Sequence, residues 1–542
     1  MNELSKLFSD ICDGESIVFE KNRIYDVWPE DSFINTGYFC SNTAKQEENP
    51  DGIRYSAIYL KNKKNIEIDG NGATVLVHGK MTPLLFYGCE NITVKNLVID
   101  YAVPTMTEFT VKSNNGGEII IEINPDCLYE IEGNTLYWCS EKNGAGEYYW
   151  KNACNVQKRY FKVLDPETEL SRDFDRNKLT FEKIEEISKN TLKCILSDRE
   201  TEMNPGEIFQ TRNIIRDQVG SMFERCKDLV FMNLRVKFMH GLGMVNQFCE
   251  NVTFRNCDFT PAEGRTIAST ADFFQFSGCR GDLIIENCKA RGAQDDYINV
   301  HGTHLRIIEL NASEKTLVVR FMHPETWGFQ AYEKGDRIEF IRWDTLIPYG
   351  EADVISYEKL NKTDIKLILS SVPDEITVGK DVIENASFVP NLSVRNCQFG
   401  PTCGRGILAT TRGEVIIENN SFRKLWGPAL LIEDDCNFWF ESGYTKEIVF
   451  RNNEIITCNY NGSDNNPVIQ YTPKVMDENS DSFIHGKLSA YNNSFRKSVS
   501  GKHIFRLEYL AEAEISGNSF DAPLEIRKKK SGNIIEKNNI FR

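Results

Sequence analysis

Short stretches in which apolar and polar residues alternate recur along the chain, and most of them end in Asn. Asn91-Ile92-Thr93-Val94-Lys95-Asn96 is one, and Asp228-Leu229-Val230-Phe231-Met232-Asn233 is another. Asn251-Val252-Thr253-Phe254-Arg255-Asn256 and Asp282-Leu283-Ile284-Ile285-Glu286-Asn287 follow. Later copies end at Asn396, Asn419, Asn452 and Asn518. A period of two puts Ile, Val and Phe on one face of a strand and Lys, Arg and Glu on the other. The terminal Asn recurs 23 residues on from 233 to 256, 31 from 256 to 287 and 23 from 396 to 419. That is the length of one solenoid coil of three short strands. Asn tolerates the left-handed bend that ends each strand, and stacked Asn side chains can bond as a ladder. The pattern predicts a right-handed parallel β-helix. A leucine-rich repeat would need a regular Leu pattern with helical stretches, and neither is visible.

Two segments interrupt the repeat. Residues 102–215 hold alternating runs such as Glu118-Ile119-Ile120-Ile121-Glu122-Ile123 and Tyr160-Phe161-Lys162-Val163-Leu164. Residues 303–388 hold Thr316-Leu317-Val318-Val319-Arg320-Phe321 and Arg337-Ile338-Glu339-Phe340-Ile341. Both read as antiparallel, barrel-like β modules set into turns of the helix, where insertions are tolerated and often wall a binding site. The expected order is therefore coils at 1–101, a module at 102–215, coils at 216–302, a second module at 303–388 and coils at 389–542.

Composition narrows the function. The 542 residues carry a net charge of −16, so a nucleic-acid partner, which needs a basic footprint, is excluded, while a neutral sugar is not. No apolar run is long enough to span a membrane. The 16 cysteines include no C-x-x-C pair, so a structural zinc site is unsupported. Cys257, Cys288 and Cys397 sit in strand-like runs and read as buried, reduced thiols. Reduced thiols and an N-terminus without a basic, then apolar, leader give the cytoplasm as the expected compartment, or secretion if a leader has been trimmed.

A β-helix is a scaffold, so chemistry has to come from polar residues gathered on one face. The densest gathering spans two neighbouring coils. One carries Glu263-Gly264-Arg265 and, a few residues on, Asp272; the next carries Gln294-Asp295-Asp296-Tyr297-Ile298-Asn299-Val300-His301. Asp272 and Asp296 are 24 residues apart, about one coil, so their carboxylates can share a groove. A stagger across the face could set them about 6.5–9.5 Å apart, the spacing of inverting glycosidases. An isolated Asp-Asp is usually a solvated turn; with Asn299, His301 and Asp272 nearby the catalytic reading takes precedence. Trp426, Glu433 and Asp434 form a second candidate group, since aromatics stack on sugar faces and acids accept from hydroxyls. Arg405 is a candidate for orienting substrate, against ordinary ion pairing. His240 competes with a structural histidine, and Trp327 with core packing of the second module. No Ser or Cys beside a His suggests a nucleophilic triad.

With these residues the chain resembles glycoside hydrolase family 110, inverting α-galactosidases that remove terminal α-1,3-linked galactose, as in blood group B structures. The run Gln-Asp-Asp-Tyr-Ile-Asn-Val-His-Gly at 294–302 is its most specific part, and the likeness covers most of the chain. It implies Asp272 as general acid, Asp295 and Asp296 as the pair that positions and deprotonates water, and no metal or other cofactor. It also implies an oligosaccharide or glycoconjugate ending in galactose as partner; a homodimer is compatible with it. The arrangement resembles the polygalacturonases too, but their Gly-His-Gly and Arg-Ile-Lys signatures are missing. A lyase-like enzyme using its Asp cluster for Ca²⁺, and a non-catalytic carbohydrate-binding β-helix, are the remaining alternatives.

Overall fold

The computed structural model describes residues 2–40, 44–155, 159–213, 215–462 and 466–542. Three parallel sheets run the length of the molecule, two of twelve strands and a third of eleven, and successive coils contribute a strand to each in turn. Glu250–Arg255, Asp258–Phe259 and Phe274–Ser277 make one such coil, and Arg280–Glu286, Lys289–Ala290 and Ile298–Thr303 the next. Neighbouring coils pair in parallel and in register, as in Phe274↔Ile298 and Gln275↔Asn299. The fold is the expected parallel β-helix, and its core is continuous from coil to coil.

The alternation sets what lies inside. In Glu250–Arg255 only Val252 and Phe254 are buried. Successive coils stack like on like: the Phe231 and Phe254 rings lie 4.6 Å apart and nearly parallel. A short helix, Glu3–Ser9, turns Leu4 and Phe8 into the same core at the N-terminal end. Its first turn is capped by the Asn2 side chain, which accepts from the Ser5 N–H at 2.8 Å. The core of the solenoid is thereby covered where the coil stack begins.

The Asn bends are where the pattern put them. Asn96, Asn233, Asn256, Asn287, Asn396, Asn419 and Asn452 all take φ between 53° and 58°. Their side chains bond between coils, Asn233 to Asn96 at 3.0 Å and Asn287 to Asn256 at 3.2 Å. The last expected copy is displaced by one residue. Gly517 takes the left-handed bend, and Asn518 is buried instead. It belongs to a second ladder inside the helix, in which Asn420, Asn453, Asn493, Asn518 and Asn539 bond in series at 2.9–3.2 Å. In the central coils this inner position is held by Cys257, Cys288 and Cys397, all buried.

Both modules leave the helix at corners of the third sheet. The first follows the second-sheet strand Val98–Tyr101 and rejoins at Ser221–Glu224 in the third. It is a seven-stranded antiparallel sheet between Met106 and Asn213, with a three-stranded sheet of its own. The second follows the third-sheet strand Ile298–Thr303 and rejoins at Pro390–Arg395 in the first sheet. It is a closed antiparallel barrel of six strands between Leu305 and Asn385. Neither contains an α-helix among the described residues. The outer face of the third sheet is thus flanked by one module at each corner.

The inner Asn ladder has a measurable consequence. Replacing Asn453 by Ala removes the oxygen that accepts the Asn420 backbone N–H and the amide that donates to Asn493 and to the Ile417 carbonyl, which costs about 2–4 kcal/mol in total. Chemical denaturation should show that loss, while Asn452→Gly, at an exposed bend that tolerates glycine, should change stability by less than about 1 kcal/mol.

Candidate active site

The corner between the second and third sheets carries the chemistry. On three successive coils the residues just before the third-sheet strand are Asp272, then Asp295 with Asp296, then Arg405. Close coil contact there depends on missing side chains. A Cβ at Gly243 would meet the carbonyl oxygens of Phe273 and Asp272 at 2.3 and 2.6 Å, and one at Gly404 would meet that of Asp295 at 1.9 Å. The chain bends at Gln294 and Asp295, so both adjacent acids reach the same cleft.

One oxygen from each of Asp272, Asp295 and Asp296 lies within 4.8 Å of the others. This corrects the wider stagger expected for Asp272 and Asp296. They occupy matching positions on adjacent coils, and the coil spacing itself sets their separation. Asp272 is buried and accepts the Asp296 N–H at 3.2 Å. Burial, then the negative charge of Asp295 and Asp296, pushes its carboxyl well above the usual range. Phe273 and Phe274 do not supply that burial, because both rings point into the helix core. Asp296, also buried, is gripped by the Arg405 guanidinium, Nε to Oδ1 at 2.5 Å and Nη2 to Oδ2 at 2.8 Å. Burial raises its pKa to about 7 against the pull of Arg405. Asp295 is half-buried, 3.4 Å from Arg405. Three acids this close could in principle hold a cation, but here the guanidinium already supplies the positive charge.

The cleft around them holds a cavity of about 70 Å³ and is lined by Asn299, Arg405, Leu408, Glu433, Trp439 and Glu441 besides the three acids. Asn299 projects from the strand after Asp296, and Glu433 is tethered by Lys474 at 2.7 Å. His301 lies one step along from Asn299 and is buried. It bonds Gln275 at 2.6 Å and the Gly302 carbonyl at 2.6 Å, and so stiffens the floor.

Other expected residues lie elsewhere. Asp434 is buried against His304 at 3.0 Å and Glu263 is exposed on a turn; neither lines the cleft. Arg265 clamps the first module to the helix, bonding Asp100 at 2.9 Å and Asp126 at 2.6 Å. His240 is buried between Thr105 and Asp217. Trp327 packs against Tyr38, with ring centroids 4.9 Å apart, and Trp426 lies under Lys162, at 3.5 Å. Arg265, His240 and Trp426 are consumed by structure because they sit where the first module meets the helix.

Two further residues, Trp439 and Glu441, line the cleft. Both ride on a loop organised by Asp435, whose carboxylate accepts the backbone N–H groups of Asn437, Phe438, Trp439 and Phe440. Trp439 stacks on His323 of the barrel, with ring centroids 4.4 Å apart, so the second module does reach the cleft wall. Burial, the leading cause, lowers the His323 pKa to about 4, which keeps this ring neutral at physiological pH. An Asp followed by two aromatics, Phe438 and Trp439, that remain largely exposed was the available signal.

Carboxyl groups gathered in a cleft, two buried and one half-buried, are the equipment of a glycoside-cleaving enzyme. Comparison with known proteins makes the class specific. Residues 316–383 match the model of GLAA-B beta-barrel domain II. The chain is 33% identical to "Alpha-1,3-galactosidase A" of Bacteroides fragilis over 96% of its own length and 80% of that protein's. It is 34% identical to "Alpha-1,3-galactosidase A" of Akkermansia muciniphila, over 89% and 77% of the two chains. It is 30% identical to "Alpha-1,3-galactosidase B" of Bacteroides thetaiotaomicron, over 95% and 81%. The chain belongs to the alpha-1,3-galactosidase family.

The crowding of the acids can be read in stability. The folded pKa of Asp272 is raised, so the fold favours its protonated form. That contribution is full below the ordinary carboxyl pKa of about 4 and is lost as pH rises through the folded value. Asn keeps the oxygen that accepts the Asp296 N–H but cannot ionise. The melting temperature of Asp272→Asn relative to the parent should therefore climb by about 1–3 °C between pH 5 and pH 9. A difference that stays flat with pH would count against a crowded, buried carboxyl.

Proposed function

We propose that the protein is an exo-acting, inverting glycosidase that removes terminal α-1,3-linked galactose from oligosaccharides or glycoconjugates. The observation that carries the reading is the division of labour among the acids. Asp272 is buried and held protonated, as an acid that must give a proton to a leaving oxygen should be. Asp296 is held by Arg405, and Asp295 beside it is half-buried, as expected of the pair that orients and deprotonates a water. The names of the relatives support galactose as the sugar released and the α-1,3 bond as the one cut. The cleft, rimmed by Trp439 from one side and backed by the first module, suits a chain end.

The spacing of the acids favours a second reading. Nearest oxygens within 4.8 Å are closer than the usual inverting distance, and nearer the roughly 5–5.5 Å of retaining enzymes, in which Asp295 would attack the sugar. Proton NMR of the first sugar released separates the two. β-Galactose from an α-linked substrate is expected, and α-galactose appearing first would establish retention. Fifteen of the sixteen cysteines are buried and none is held in a disulfide, which supports a reducing compartment such as the cytoplasm.

Kinetics should assign the acid. Asp272→Asn is expected to lose about 10²–10⁴-fold in kcat on an oligosaccharide, whose leaving group needs a proton. It should lose much less on an aryl galactoside with a good phenolate leaving group. Asp296→Asn should lose heavily on both. Equal losses for Asp272→Asn on the two substrate types would remove it as the acid.

A further inference from the structure

The floor of the cleft holds more acceptor capacity than the protein uses. Asn299 Oδ1 and, one coil below, Gln275 Oε1 are buried and have no hydrogen-bond partner among the described residues. Both residues sit on the outer face of the third sheet, and a buried amide oxygen without a donor is costly unless a ligand supplies one. Above them stands Glu441. It is carried by the short strand Glu441–Ser442, which pairs antiparallel with Gly302–Thr303 and is the one reversed strand of that sheet.

The surroundings of Glu441 hold its carboxylate without saturating it. Oε2 lies 3.5 Å from the Asn299 amide, at the outer limit of a hydrogen bond. Oε1 lies 3.6 Å from His301 Nε2. His301 Nδ1 is 2.6 Å from the Gly302 carbonyl oxygen, which can only accept, so the ring proton is on Nδ1. Nε2 then accepts from the Gln275 amide at 2.6 Å. Both contacts of Glu441 are therefore long, at 3.5 and 3.6 Å. Of this cluster Glu441 and Asn299 line the cleft, and their oxygens ask for O–H donors. An anionic ligand would be repelled by Glu441; adjacent hydroxyls on a sugar ring fit.

We propose that Glu441 and Asn299 form a hydroxyl clamp that binds two neighbouring hydroxyls of the terminal sugar and so sets which monosaccharide is accepted. The proposal rests on the glycosidase reading and adds a sugar-recognising pair to it. Gln275 and His301 act as positioning residues, fixing the height and tautomer of the floor. Selectivity of this kind is strong, because an analogue lacking a bonded hydroxyl leaves the buried acceptors unpaired.

The test uses the full chain and aryl α-galactosides deoxygenated at one ring position at a time. Glu441→Gln should lower kcat/KM about 10–100-fold, chiefly through KM, with an unchanged melting temperature. On the parent, two adjacent deoxy substrates should lose about as much, and on Glu441→Gln they should lose little more. Losses that multiply for every deoxy substrate would overturn the clamp. Glu441→Asp, which keeps the charge on a shorter arm, should fall between; if Glu441→Gln does not fold, the same comparison is made on it. If the parent cleaves no galactoside, the proposed function fails by itself. The clamp is then judged by calorimetric titration of galactose, glucose and mannose into the parent and Glu441→Gln proteins. Loss of the parent's sugar preference in the variant would uphold it, and identical binding or no binding by the parent would overturn it.

Discussion

The spacing between stacked strands, about 4.8 Å, governs both the frame and the chemistry. It brings each side chain next to its counterpart on the next coil, so identical groups accumulate in columns. Inside the helix the columns are Phe, Asn or Cys, which gain from stacking. At the corner between the second and third sheets the column is Asp272, Asp296 and Arg405, where two acids at coil spacing would repel. The arginine on the third coil makes the arrangement tolerable, and its two bonds to Asp296 leave Asp272 as the acid that keeps its proton.

The modules turn this column into a cleft. Each is inserted at a corner of the third sheet, so neither lengthens the helix nor disturbs its register. The first backs the turn carrying Asp272: Gln210 bonds Thr266 at 2.7 Å, and the Arg212 guanidinium bonds the Thr270 carbonyl. The second reaches over the opposite side, where His323 meets Trp439. Residues that looked like ligands in the sequence, Arg265 and His240 among them, are the fasteners of these contacts. Their charge and burial are structural needs of joining two β units.

The coils, the Asn bends and the three acids could be read from the sequence because a solenoid repeats its physics locally. An Asn after a strand of alternating residues means the same thing in every coil, and the interval between acids translates directly into stacking. The shift at Gly517 and Asn518 shows where that reading fails. Two ladders run side by side, one at the bend and one inside, and an Asn in either position looks alike in the sequence. Trp439 and Glu441 were harder to see because their place depends on long-range contacts, the barrel on one side and strand Ile298–Thr303 on the other. The wide spacing expected for Asp272 and Asp296 failed for a simpler reason: in-register coils leave no room for a stagger.

Rigidity and reactivity are divided between different parts of the same coils. The hydrophobic column and the Asn ladders fix the backbone, and the close-packed glycines at 243 and 404 fix how near successive turns approach. Against that stiff frame, two buried carboxyl groups can be held in a state that water would not allow. Loosening the frame would let Asp272 swing outward, regain solvent and fall back to an ordinary pKa, and the acid would be lost without any change in its identity. A solenoid suits this use because its order does not come from the site. The coils on either side would stack whether or not the acids were there, so the energetic cost of crowding them is carried by contacts that take no part in the reaction.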